Sequence, residues 1–478
     1  MQQGTHVEDV DYDVIVMGGG PAGTTVATLV AAAGRRVALL ERLPETGFKI
    51  GESLMPETWR TFARLGLLDR LYASPFPRKY SVQFYSKSGR PSAPFYFQET
   101  DPGEGSITWQ VPRRDFDRLL IDNARRHGVE VRQGAAVREV LFEGERAVGV
   151  VADLPGEGRR ELHARVVVDA TGQSAILGRR LGLREIDPLL RKAAIFSHFE
   201  GALRDPGIDE GATLVLHTER QESWFWYIPL PHDRVSVGVV GAVEYLVGGR
   251  AGGLQQVFEE EVARCPPLIP RLAGARRVMD FLALRDFSYK SRQIAGDGWV
   301  LVGDAFGFLD PIYSSGVLLA FSSGEFAADA ILGGLADGDL SGARLGAFGP
   351  RFIAGMDAMR VLVHTFYDPN FRFSKFIRRF PECRHDLIRV LRGDVFDHDF
   401  SRLFAALAAT AAPELAGGAE APAPGQRAAG SAAPAGSAAA ASAAAAESAA
   451  AAESAAAAES AAAAASAAPA AAVTGDRR

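Results

Sequence analysis

The stretch that decides the fold is Asp13-Val14-Ile15-Val16-Met17-Gly18-Gly19-Gly20-Pro21-Ala22-Gly23. Its apolar run is typical of a short buried strand, and the small residues 24–33 that follow predict a closely packed helix ending at Gly34. A second apolar run, residues 36–40, ends in Glu41 and predicts the next strand. The segment therefore places a G-x-G-x-x-G turn between a strand and a helix, which is the context this motif requires.

Each glycine of this turn has a physical role. Gly18 permits the tight turn, Gly20 lets a pyrophosphate approach the backbone, and Gly23 lets the helix pack closely on the strand. The helix N-terminus offers free N–H groups and a partial positive charge to phosphates. Glu41 can accept hydrogen bonds from a ribose. We therefore expect an α/β fold with a Rossmann-type dinucleotide site.

Composition limits the other classes of function. The chain has 478 residues and a net charge of −6, with acidic and basic residues interspersed, so no basic stripe predicts nucleic-acid binding. Cys265 and Cys383 lie far apart without metal-ligand spacing, which argues against a metal site and a disulfide framework. The N-terminus lacks a secretory layout, and no apolar run is expected to reach the length of a membrane span. We expect a cytoplasmic enzyme that binds no membrane.

The chain divides by composition. Residues 413–478 are almost wholly Ala, Ser, Glu, Gly and Pro, and they form no apolar stripe that could dock on a core. We expect a disordered tail there, with a spacer for a partner as the alternative. Residues 10–350 are predicted to form a discontinuous module that joins the dinucleotide site to a second sheet, at about 80–112 and 190–285. Residues 351–410 are predicted to be helical, and their aromatic side chains line a substrate pocket or pack as core.

Three later segments extend the nucleotide-binding pattern. Arg113 begins an R-x-x-F-D sequence at the head of a predicted helix, and residues 166–172 read as an apolar strand running into a polar turn. Residues 299–302 form another such strand, with Asp304 just beyond its carboxyl end. Ligands of α/β folds bind at that end of the strands, so Asp304 is a candidate ligand-binding residue.

Together, in this order, these segments resemble the FAD-dependent monooxygenase and halogenase superfamily typified by para-hydroxybenzoate hydroxylase. The resemblance implies a Rossmann-type FAD-binding domain, a substrate β-sheet domain and a helical C-terminal region. It also implies FAD contacts at Gly18, Gly20, Ala22, Gly23, Glu41, Arg42, Ser53, Arg113, Val137, Asp304 and Pro311. No second dinucleotide motif is visible for NAD(P)H, so we expect a separate, transiently bound flavin reductase to reduce the FAD.

The second flavin motif separates halogenases from hydroxylases. The hydroxylases carry G-D-A-A-H-x-x-x-P-x-x-G-x-G, whereas residues 303–316 read G-D-A-F-G-F-L-D-P-I-Y-S-S-G. This segment runs directly into an apolar helix predicted from Val317. The backbone amides of Ser315 and Gly316 at that helix N-terminus are candidates to hold a halide. An ordinary serine N-cap is the alternative interpretation.

The third motif is Trp224-Phe225-Trp226-Tyr227-Ile228-Pro229. Its two indoles lie two residues apart on one face of a predicted strand, which Pro229 ends. Alone, this pattern indicates a core tryptophan pair. With residues 48–56, the Lys79 region and the S-S-G of the second motif, it resembles the flavin-dependent halogenases. The match is to the branch that acts on phenolic, pyrrolic or carrier-tethered substrates, and residues 366–369 and 391–396 are also similar to that branch.

The resemblance implies a mechanism. Reduced FAD and O2 oxidise a halide, by default chloride, to hypohalous acid at Ser315 and Gly316. The acid then passes through the protein to Lys79, which hydrogen-bonds it or forms a haloamine and directs halogen to an electron-rich carbon. Lys49 is the competing lysine. Trp224 and Trp226 keep the organic substrate away from the oxidant.

The substrate class is the least determined part of this interpretation. A phenol or a pyrrole, free or bound to an acyl or peptidyl carrier protein, fits electrophilic halogenation in secondary metabolism. We expect a monomer or a weak dimer. The alternatives are an FAD-dependent aromatic hydroxylase and, with the same fold, a flavin-linked reductase of isoprenoid chains.

Overall fold

The computed structural model describes residues 10–248, 250 and 252–410. The predicted tail, residues 413–478, lies outside the described residues. The strands of the first half are β1 (Tyr12–Met17), β2 (Val37–Glu41), β3 (Arg78–Lys79), β4 (Ser81–Tyr85), β5 (Phe95–Tyr96), β6 (Thr108–Trp109), β7 (Glu130–Gln133), β8 (Ala136–Glu143), β9 (Arg146–Leu154), β10 (Gly158–Asp169) and β11 (Arg184–Ile186). Those that follow are β12 (Lys192–Glu200), β13 (Thr213–His217), β14 (Ser223–Pro229), β15 (Arg234–Ala242), β16 (Arg276–Arg277), β17 (Leu282–Arg285), β18 (Tyr289–Ser291), β19 (Ala295–Gly296), β20 (Trp299–Leu301) and β21 (Gly307–Phe308).

Helices alternate with these strands in the first half of the chain and dominate after β21. They are α1 (Pro21–Ala32), α2 (Thr58–Arg64), α3 (Leu68–Tyr72), α4 (Arg113–Arg126), α5 (Ile176–Arg180), α6 (Val243–Leu246) and α7 (Leu254–Ala263). The later ones are α8 (Ile269–Leu272), α9 (Ser315–Asp337), α10 (Gly342–Leu345), α11 (Gly349–Tyr367), α12 (Phe373–Arg379), α13 (Arg384–Arg392) and α14 (Ser401–Ala408). The predicted helices at 24–33, at 115–126 and from Val317 are therefore present, each beginning two or three residues earlier.

The first sheet has the order β19-β20-β10-β1-β2-β7, with the hairpin β8–β9 attached to β10. β1 lies between β10 and β2, and all three run parallel, as do β20 and β7 beside them. The Gly-rich turn and the β20–α9 turn both follow carboxyl ends of this sheet, so the two flavin motifs lie on the same edge. The predicted Rossmann-type α/β domain is confirmed.

The second sheet has the order β16-β12-β15-β14-β13-β4-β5, with β17 also paired to β12. Trp224 and Trp226 lie in β14 and contribute to the large core shared with the first sheet and the C-terminal helices. Phe225 and Tyr227 point to the other face, into a smaller core with α7. The alternation expected of the W-x-W strand is therefore present.

Helix α9 is unusually apolar. It is long and apolar enough to meet the composition of a membrane span, with a mean hydropathy of 1.3 over its most apolar window, so the expectation that no run reaches that length is wrong. However, 67% of that window is buried within the protein. A methyl group placed on Gly324 would lie 2.9 Å from the Ala22 carbonyl oxygen, which shows how closely α9 packs against α1. The apolar composition thus reflects a position in the core.

Candidate active site

The Gly-rich turn has the shape that a pyrophosphate requires. Gly18 has φ +107°, and a methyl group there would lie 2.4 Å from the Ala170 carbonyl oxygen. A methyl group on Gly23 would lie 2.0 Å from the Gly18 carbonyl oxygen, whereas one on Gly20 would meet no atom within 4 Å. Gly20 is also the N-cap of α1 and makes no side-chain capping bond. The turn therefore leaves open space over the free amides at the start of α1, where a phosphate fits.

Glu41 holds this turn from the end of β2. Its carboxylate accepts hydrogen bonds from the Gly19 amide at 2.7 Å and from the Leu43 amide at 2.9 Å. Two lone pairs of the carboxylate remain for a ribose, since an ionised carboxylate has about four acceptor sites. Arg42 follows directly. The predicted contact Ala22 packs against Gly303 of the second flavin motif, since a methyl group on Gly303 would lie 3.0 Å from the Ala22 Cβ.

Asp304 follows β20 at the same edge. Among the described residues its carboxylate has no hydrogen-bond partner, although its backbone carbonyl accepts the Tyr289 hydroxyl at 2.5 Å. Burial raises the pKa of Asp304 to about 6, and the charges of Arg113 and Lys49 oppose that rise. A half-buried carboxylate without a partner, beside open space, fits a hydroxyl-bearing chain such as the ribityl group of FAD. The residues present therefore fit FAD.

The predicted FAD contact Arg113 is already engaged by protein groups. Arg113 forms a two-point ion pair with Asp117, at 2.9 and 3.1 Å, and donates to the Ile50 carbonyl at 2.6 Å. Lys49 lies 3.3 Å from the same Asp117 carboxylate. Arg113 thereby fixes the loop of residues 48–56 against α4. Val137 lies in β8 opposite Ala152, and Pro311 begins a short 3-10 turn, Pro311–Tyr313.

Lys79 is buried, with 3% of its surface exposed. It ends β3, which pairs with β6. Its Nζ donates to the Ser53 hydroxyl at 2.8 Å and to the Leu54 carbonyl at 3.0 Å, and it lies 5.6 Å from the centroid of the Phe97 ring. No carboxylate pairs with it among the described residues. A lysine is usually exposed to solvent, so this burial is not what the residue type favours.

Burial lowers the pKa of Lys79 to about 7. Removal from water disfavours the charged form of an amine, and no neighbouring anion compensates. Near neutral pH the side chain therefore exists as both ammonium and amine. The ammonium can donate a hydrogen bond to hypohalous acid, and the amine can attack its halogen. Lys49 lies in an ion pair and is 37% exposed at its side chain, so it lacks this environment.

Ser53 contacts Lys79 rather than the Gly-rich turn. Its hydroxyl also lies 2.8 Å from the Thr213 hydroxyl, and Thr213 in turn accepts from the Gln110 amide at 2.9 Å. Ser53, Thr213 and Gln110 are all buried. The contact of Ser53 with FAD stays a prediction, and its hydroxyl also belongs to the polar cluster that surrounds the Lys79 amine.

The second flavin motif ends in a free helix N-terminus. Ser314 has φ +59°, and α9 begins at Ser315 without a side-chain cap. Within the described residues the Ser315 and Gly316 amides have no hydrogen-bond partner, as the first amides of any helix require an external acceptor. A methyl group on Gly316 would lie 2.8 Å from the Phe308 ring. The serine N-cap alternative is not observed, and an anion fits this position.

Trp224 and Trp226 are buried, with 2% and 5% exposed surface, and their ring centroids lie 6.5 Å apart. The Trp226 ring lies 5.7 Å from that of Phe196, which stacks at the same distance on Phe48 of the flavin-side loop. Trp224 contacts Phe366 at 5.8 Å. The pair therefore lies between the 48–56 loop and the C-terminal helices.

The two ends of the candidate site lie at the two ends of strand β13. Its first residue, Thr213, belongs to the polar cluster at Lys79. Its last residue, His217, lies opposite Trp224 and stacks on Phe366 at 4.9 Å. Phe366 also contacts Tyr313, beside the helix start that carries Ser315. Four steps along a strand cover about 13 Å, so Lys79 and the anion site lie at opposite ends of one strand.

The sequence analysis did not single out several residues at this site. Asp310 and Tyr367 form a buried hydrogen bond at 3.0 Å. Glu52 and His198 approach to 2.9 Å without alignment for a hydrogen bond. Thr213 and Gln110 complete the set. Position within a known motif could have indicated Asp310 and Tyr367, but long-range pairs of polar residues cannot be read from one sequence.

Comparison with known proteins agrees with this geometry. The profile of the family described as FAD binding domain matches residues 11–318. A 1H-pyrrole-2-carbonyl-[peptidyl-carrier protein] chlorinase of Pseudomonas fluorescens is 32% identical over 412 residues, covering 82% of this chain and 91% of the relative. A brominase of the same carrier-bound group from Pseudoalteromonas luteoviolacea is 32% identical over 389 residues, covering 81% and 93%.

Solved structures give the same result. The flavin-dependent brominase Bmp2 superposes with a TM-score of 0.74 at 31% identity, covering 82% of this chain and 97% of that one. The myxobacterial chondrochloren halogenase CndH gives 0.71 at 32% identity, covering 84% and 96%. The similarity thus extends over more than four fifths of this chain and over nearly the whole length of each solved structure. The chain therefore belongs to the flavin-dependent halogenases, oxidoreductases that use reduced FAD, O2 and a halide.

Proposed function

We propose that this halogenase acts on an electron-rich aromatic ring, pyrrolic or phenolic, carried as a thioester on a carrier protein. The two relatives named for carrier-bound pyrrole-2-carbonyl groups support this substrate class, since each matches more than 90% of its length. One is named a chlorinase and the other a brominase. We propose chloride as the halide and a separate flavin reductase as the source of reduced FAD.

The observation that carries the proposal is the buried, charge-poor environment of Lys79 at one end of β13. When bound, reduced FAD together with O2 supplies the oxidant that converts a halide to hypohalous acid. The Ser315 and Gly316 amides hold the halide at the helix N-terminus, where partial positive charge favours an anion. Asp304, Glu41, Arg42 and the glycines of the first turn hold the cofactor, with Ala22, Arg113, Val137 and Pro311 beside them.

Lys79 receives the hypohalous acid at the far end of the strand. Its amine attacks the halogen, forming an N–halogen bond and releasing water; the ring carbon then takes the halogen as the N–halogen bond breaks, and the ring proton returns to the nitrogen. As an ammonium it instead donates a hydrogen bond to the oxygen of the acid, so that the ring attacks the halogen directly. The ammonium proton passes to the departing hydroxide, which leaves as water, and the resulting amine takes the ring proton. Ser53 and the Leu54 carbonyl hold the Nζ in place for either route.

Trp224 and Trp226 have a separating role in this proposal. Both indoles fill the space between the flavin-side loop and the C-terminal helices, and the organic ring is therefore kept at the Lys79 end. Exclusion of the ring from the site of oxidant formation favours halogen transfer over oxygen insertion. The aromatic hydroxylase, the alternative, lacks a use for a buried amine at a distance from the cofactor.

The test is product analysis by mass spectrometry. Enzyme, flavin reductase, O2 and chloride or bromide are incubated with pyrrole-2-carbonyl and hydroxybenzoyl groups, each loaded on a carrier protein and each as a free acid. We expect monohalogenated carrier-bound product from wild type and none from Lys79→Met, in which oxidant still forms and is detected by a hypohalite trap. Hydroxylated product from wild type, or halogenated product from Lys79→Met at more than a tenth of the wild-type rate, contradicts the proposal.

A further inference from the structure

Three sequence motifs that lie far apart along the chain meet in one buried hydrogen-bond chain. Trp224 of the W-x-W motif donates its indole N–H to the Tyr367 hydroxyl at 3.0 Å. Tyr367, in the segment Phe366-Tyr367-Asp368-Pro369, donates that hydroxyl to the Asp310 carboxylate at 3.0 Å. The other oxygen of Asp310 accepts the Ile312 amide at 2.9 Å. Asp310 thereby joins β14 and the end of α11 to the turn that precedes Ser315.

Burial makes these bonds consequential. Asp310 is fully buried, and Trp224 is 2% exposed. An unsatisfied polar group in such a place is destabilising, so loss of one partner affects both of the others. Lys192 lies 4.0 Å from the centroid of the Tyr367 ring and faces the same carboxylate. Burial raises the pKa of Asp310 to about 7, and its partners oppose that rise.

The turn itself needs an external restraint. Ser314 has φ +59°, a left-handed conformation that a non-glycine residue adopts only where its surroundings impose it. Among the described residues its amide donates to the Pro311 carbonyl, and the Asp310 carboxylate caps the 3-10 turn before it. Asp310 therefore fixes the start of the turn that carries the Ser315 and Gly316 amides, and the Tyr313 hydroxyl, which donates to the Leu362 carbonyl at 3.3 Å, is a second anchor.

We propose that Asp310 and Tyr367 are positioning residues that set the halide-binding turn, residues 310–316, in register with Trp224. Neither residue needs to touch the halide. They act through the turn, so that the anion site has its binding geometry only when the shielding strand β14 is in place. The hydrogen-bond chain thereby couples halide binding, which formation of the oxidant requires, to exclusion of the organic ring by Trp224.

The test uses the FAD-loaded protein with bromide as the probe. Tyr367→Phe keeps the ring and removes the hydroxyl, and Asp310→Asn keeps the shape and removes the charge. Bromide affinity is measured from the bromide-dependent rise in Tm, which needs no turnover, and from the KM for bromide. We expect about tenfold weaker bromide binding in each variant, the effect of one lost buried hydrogen bond, with FAD affinity within twofold of wild type.

Ser236→Ala is the matched control. Ser236 accepts the Trp226 indole N–H at 3.1 Å, so this variant removes a buried indole partner on the same sheet without touching the turn. We expect wild-type bromide affinity from it. Trp224 and Tyr367 are bonded to each other, so the double variant Trp224→Phe, Tyr367→Phe should weaken bromide binding no more than either change alone. Trp224 and Ser236 are not bonded, so the loss of bromide affinity in Trp224→Phe, Ser236→Ala should equal the sum of the losses in the single variants.

Bromide affinity within twofold of wild type in folded Tyr367→Phe overturns the proposal. An equal loss of FAD and bromide affinity in that variant also overturns it, because a merely structural role predicts that result. If Asp310→Asn does not fold, Tyr367→Phe and the double variant decide the matter alone.

A second, independent observation concerns the surface beside Lys79. Helix α12 exposes Lys375, Arg378 and Arg379, and none of them forms an ion pair within the part of the chain that the structure describes. Their spacing places them on one face of the helix. Residues 372–379 carry four cations and no acid in a chain whose net charge is −6. Such uncompensated positive charge attracts an acidic partner.

Helix α12 lies against the part of the substrate sheet that leads to Lys79. Its Phe373 ring lies 5.2 Å from the Phe84 ring of β4. Phe84 contacts Phe95 of β5 at 5.8 Å, and Phe97, just after β5, lies 5.6 Å from the Lys79 Nζ. These aromatic rings therefore lie between the basic helix and the candidate catalytic amine.

We infer that the exposed face of α12 docks an acidic carrier protein whose thioester arm reaches toward Lys79; this inference rests on the proposed carrier-bound substrate. Opposite charges across a docking surface mainly raise the association rate and weaken with salt. The triple variant Lys375→Glu, Arg378→Glu, Arg379→Glu reverses the charge without altering a buried group.

The experiment compares two forms of one acyl group. The pyrrole-2-carbonyl group is offered on a carrier protein and as a small-molecule thioester of the same arm. We expect the triple variant to raise the KM for the carrier form at least tenfold and to leave that for the small thioester within twofold. The control reverses three exposed cations that also form no ion pair among the described residues, Arg118→Glu, Arg126→Glu and Arg160→Glu, and we expect no change.

The two possible failures are distinguishable. Halogenation of both forms by wild type, with an unchanged carrier KM in the triple variant, overturns the docking surface and leaves the proposed function standing. Halogenation of neither form by wild type overturns both.

Discussion

The amine of Lys79 is held out of water by aromatic and backbone groups, and its protonation state follows from that. An unfolded chain gives the side chain a pKa of about 10.4, whereas burial in the folded protein lowers the pKa to about 7. Near physiological pH, Lys79 is thus present both as the ammonium and as the neutral amine. The residue can act as a nucleophile toward hypohalous acid without any general base nearby.

This shift predicts how stability depends on pH. Between pH 7 and about 10.4 the unfolded chain binds a proton at Lys79 that the folded protein does not, so the unfolding free energy rises with pH. Relative to Lys79→Met, the slope should approach about 1.4 kcal/mol per pH unit in this range and vanish below pH 7. Urea unfolding of both proteins between pH 6 and pH 10 measures the difference. A difference that does not vary with pH would mean that Lys79 keeps its ordinary pKa.

Gly316 carries a second prediction at the scale of one residue. A methyl group there would lie 2.8 Å from the Phe308 ring, so Gly316→Ala must displace either that ring or the turn. Overpacking of this kind costs about 1–3 kcal/mol, and we expect the KM for halide to rise about tenfold or more. Steady-state kinetics against chloride concentration measures the effect. Phe308→Leu removes the clashing edge, so the double variant should regain halide affinity that the single variant lacks.

If the double variant binds halide no better than Gly316→Ala, the loss does not arise from the Phe308 contact. Phe308→Leu alone is the control. The Phe308 ring packs on the Phe287 ring, with centroids 5.9 Å apart. We expect its removal to lower the free energy of unfolding more than it weakens halide binding.

At the scale of elements, the contact of α9 with α1 sets the distance between the two flavin motifs. Gly324 of α9 lies against the Ala22 carbonyl and the Thr25 side chain, at 2.9 and 3.0 Å from a would-be methyl group. Both helices begin at the same edge of the parallel sheet. Their close packing therefore fixes the free amides of α1 relative to those of Ser315 and Gly316.

Gly324→Val should separate these helices. Because the obstacle is backbone, the strain cannot be relieved by a rotamer change, and we expect a loss of about 2–3 kcal/mol in unfolding free energy. FAD affinity should fall as well, since both ends of the cofactor site move. Thermal unfolding and FAD titration measure the two effects. Ala336→Val, at an exposed position of the same helix, is the control, and equal behaviour of the two variants would contradict the role of close packing.

The helices and strands show which parts of the fold can be predicted from the sequence. The G-x-G-x-x-G turn predicted α1, β1 and β2 because each glycine has a local steric reason. Asp310 and Tyr367 could not be predicted in the same way, because their bond joins residues that only the fold brings together. Ser53 shows the same limit: its motif predicted a cofactor contact, but could not predict that its hydroxyl lies 2.8 Å from the Lys79 amine.

Helix α9 illustrates a third kind of difference. Its length and mean hydropathy meet those of a membrane span, yet two thirds of that window is buried between α1, the parallel sheet and the C-terminal helices. A helix that the core surrounds on all sides must be apolar on all sides. Composition alone does not separate that environment from lipid.

At the scale of the whole molecule, the substrate sheet keeps two reactive sites apart. Lys79 lies at one end of β13 and the free amides of α9 at the other, and Trp224 and Trp226 lie on the adjacent strand. Both indoles point into the core shared with the first sheet, whereas Phe225 points away from it. In the proposed mechanism, this arrangement separates formation of the oxidant from its use.

Removal of the indoles therefore predicts a change of reaction rather than simple inactivation. In Trp224→Leu combined with Trp226→Leu, an organic ring can approach the cofactor, and we expect hydroxylated product beside a reduced yield of halogenated product. Mass spectrometry of a phenol incubated with reductase, O2 and chloride measures both. Phe225→Leu, on the opposite face of the same strand, should form halogenated product alone. If the double variant binds FAD, consumes O2 and yields no hydroxylated ring, bulk at these positions does not exclude substrate, and the distance along β13 alone separates the two reactions.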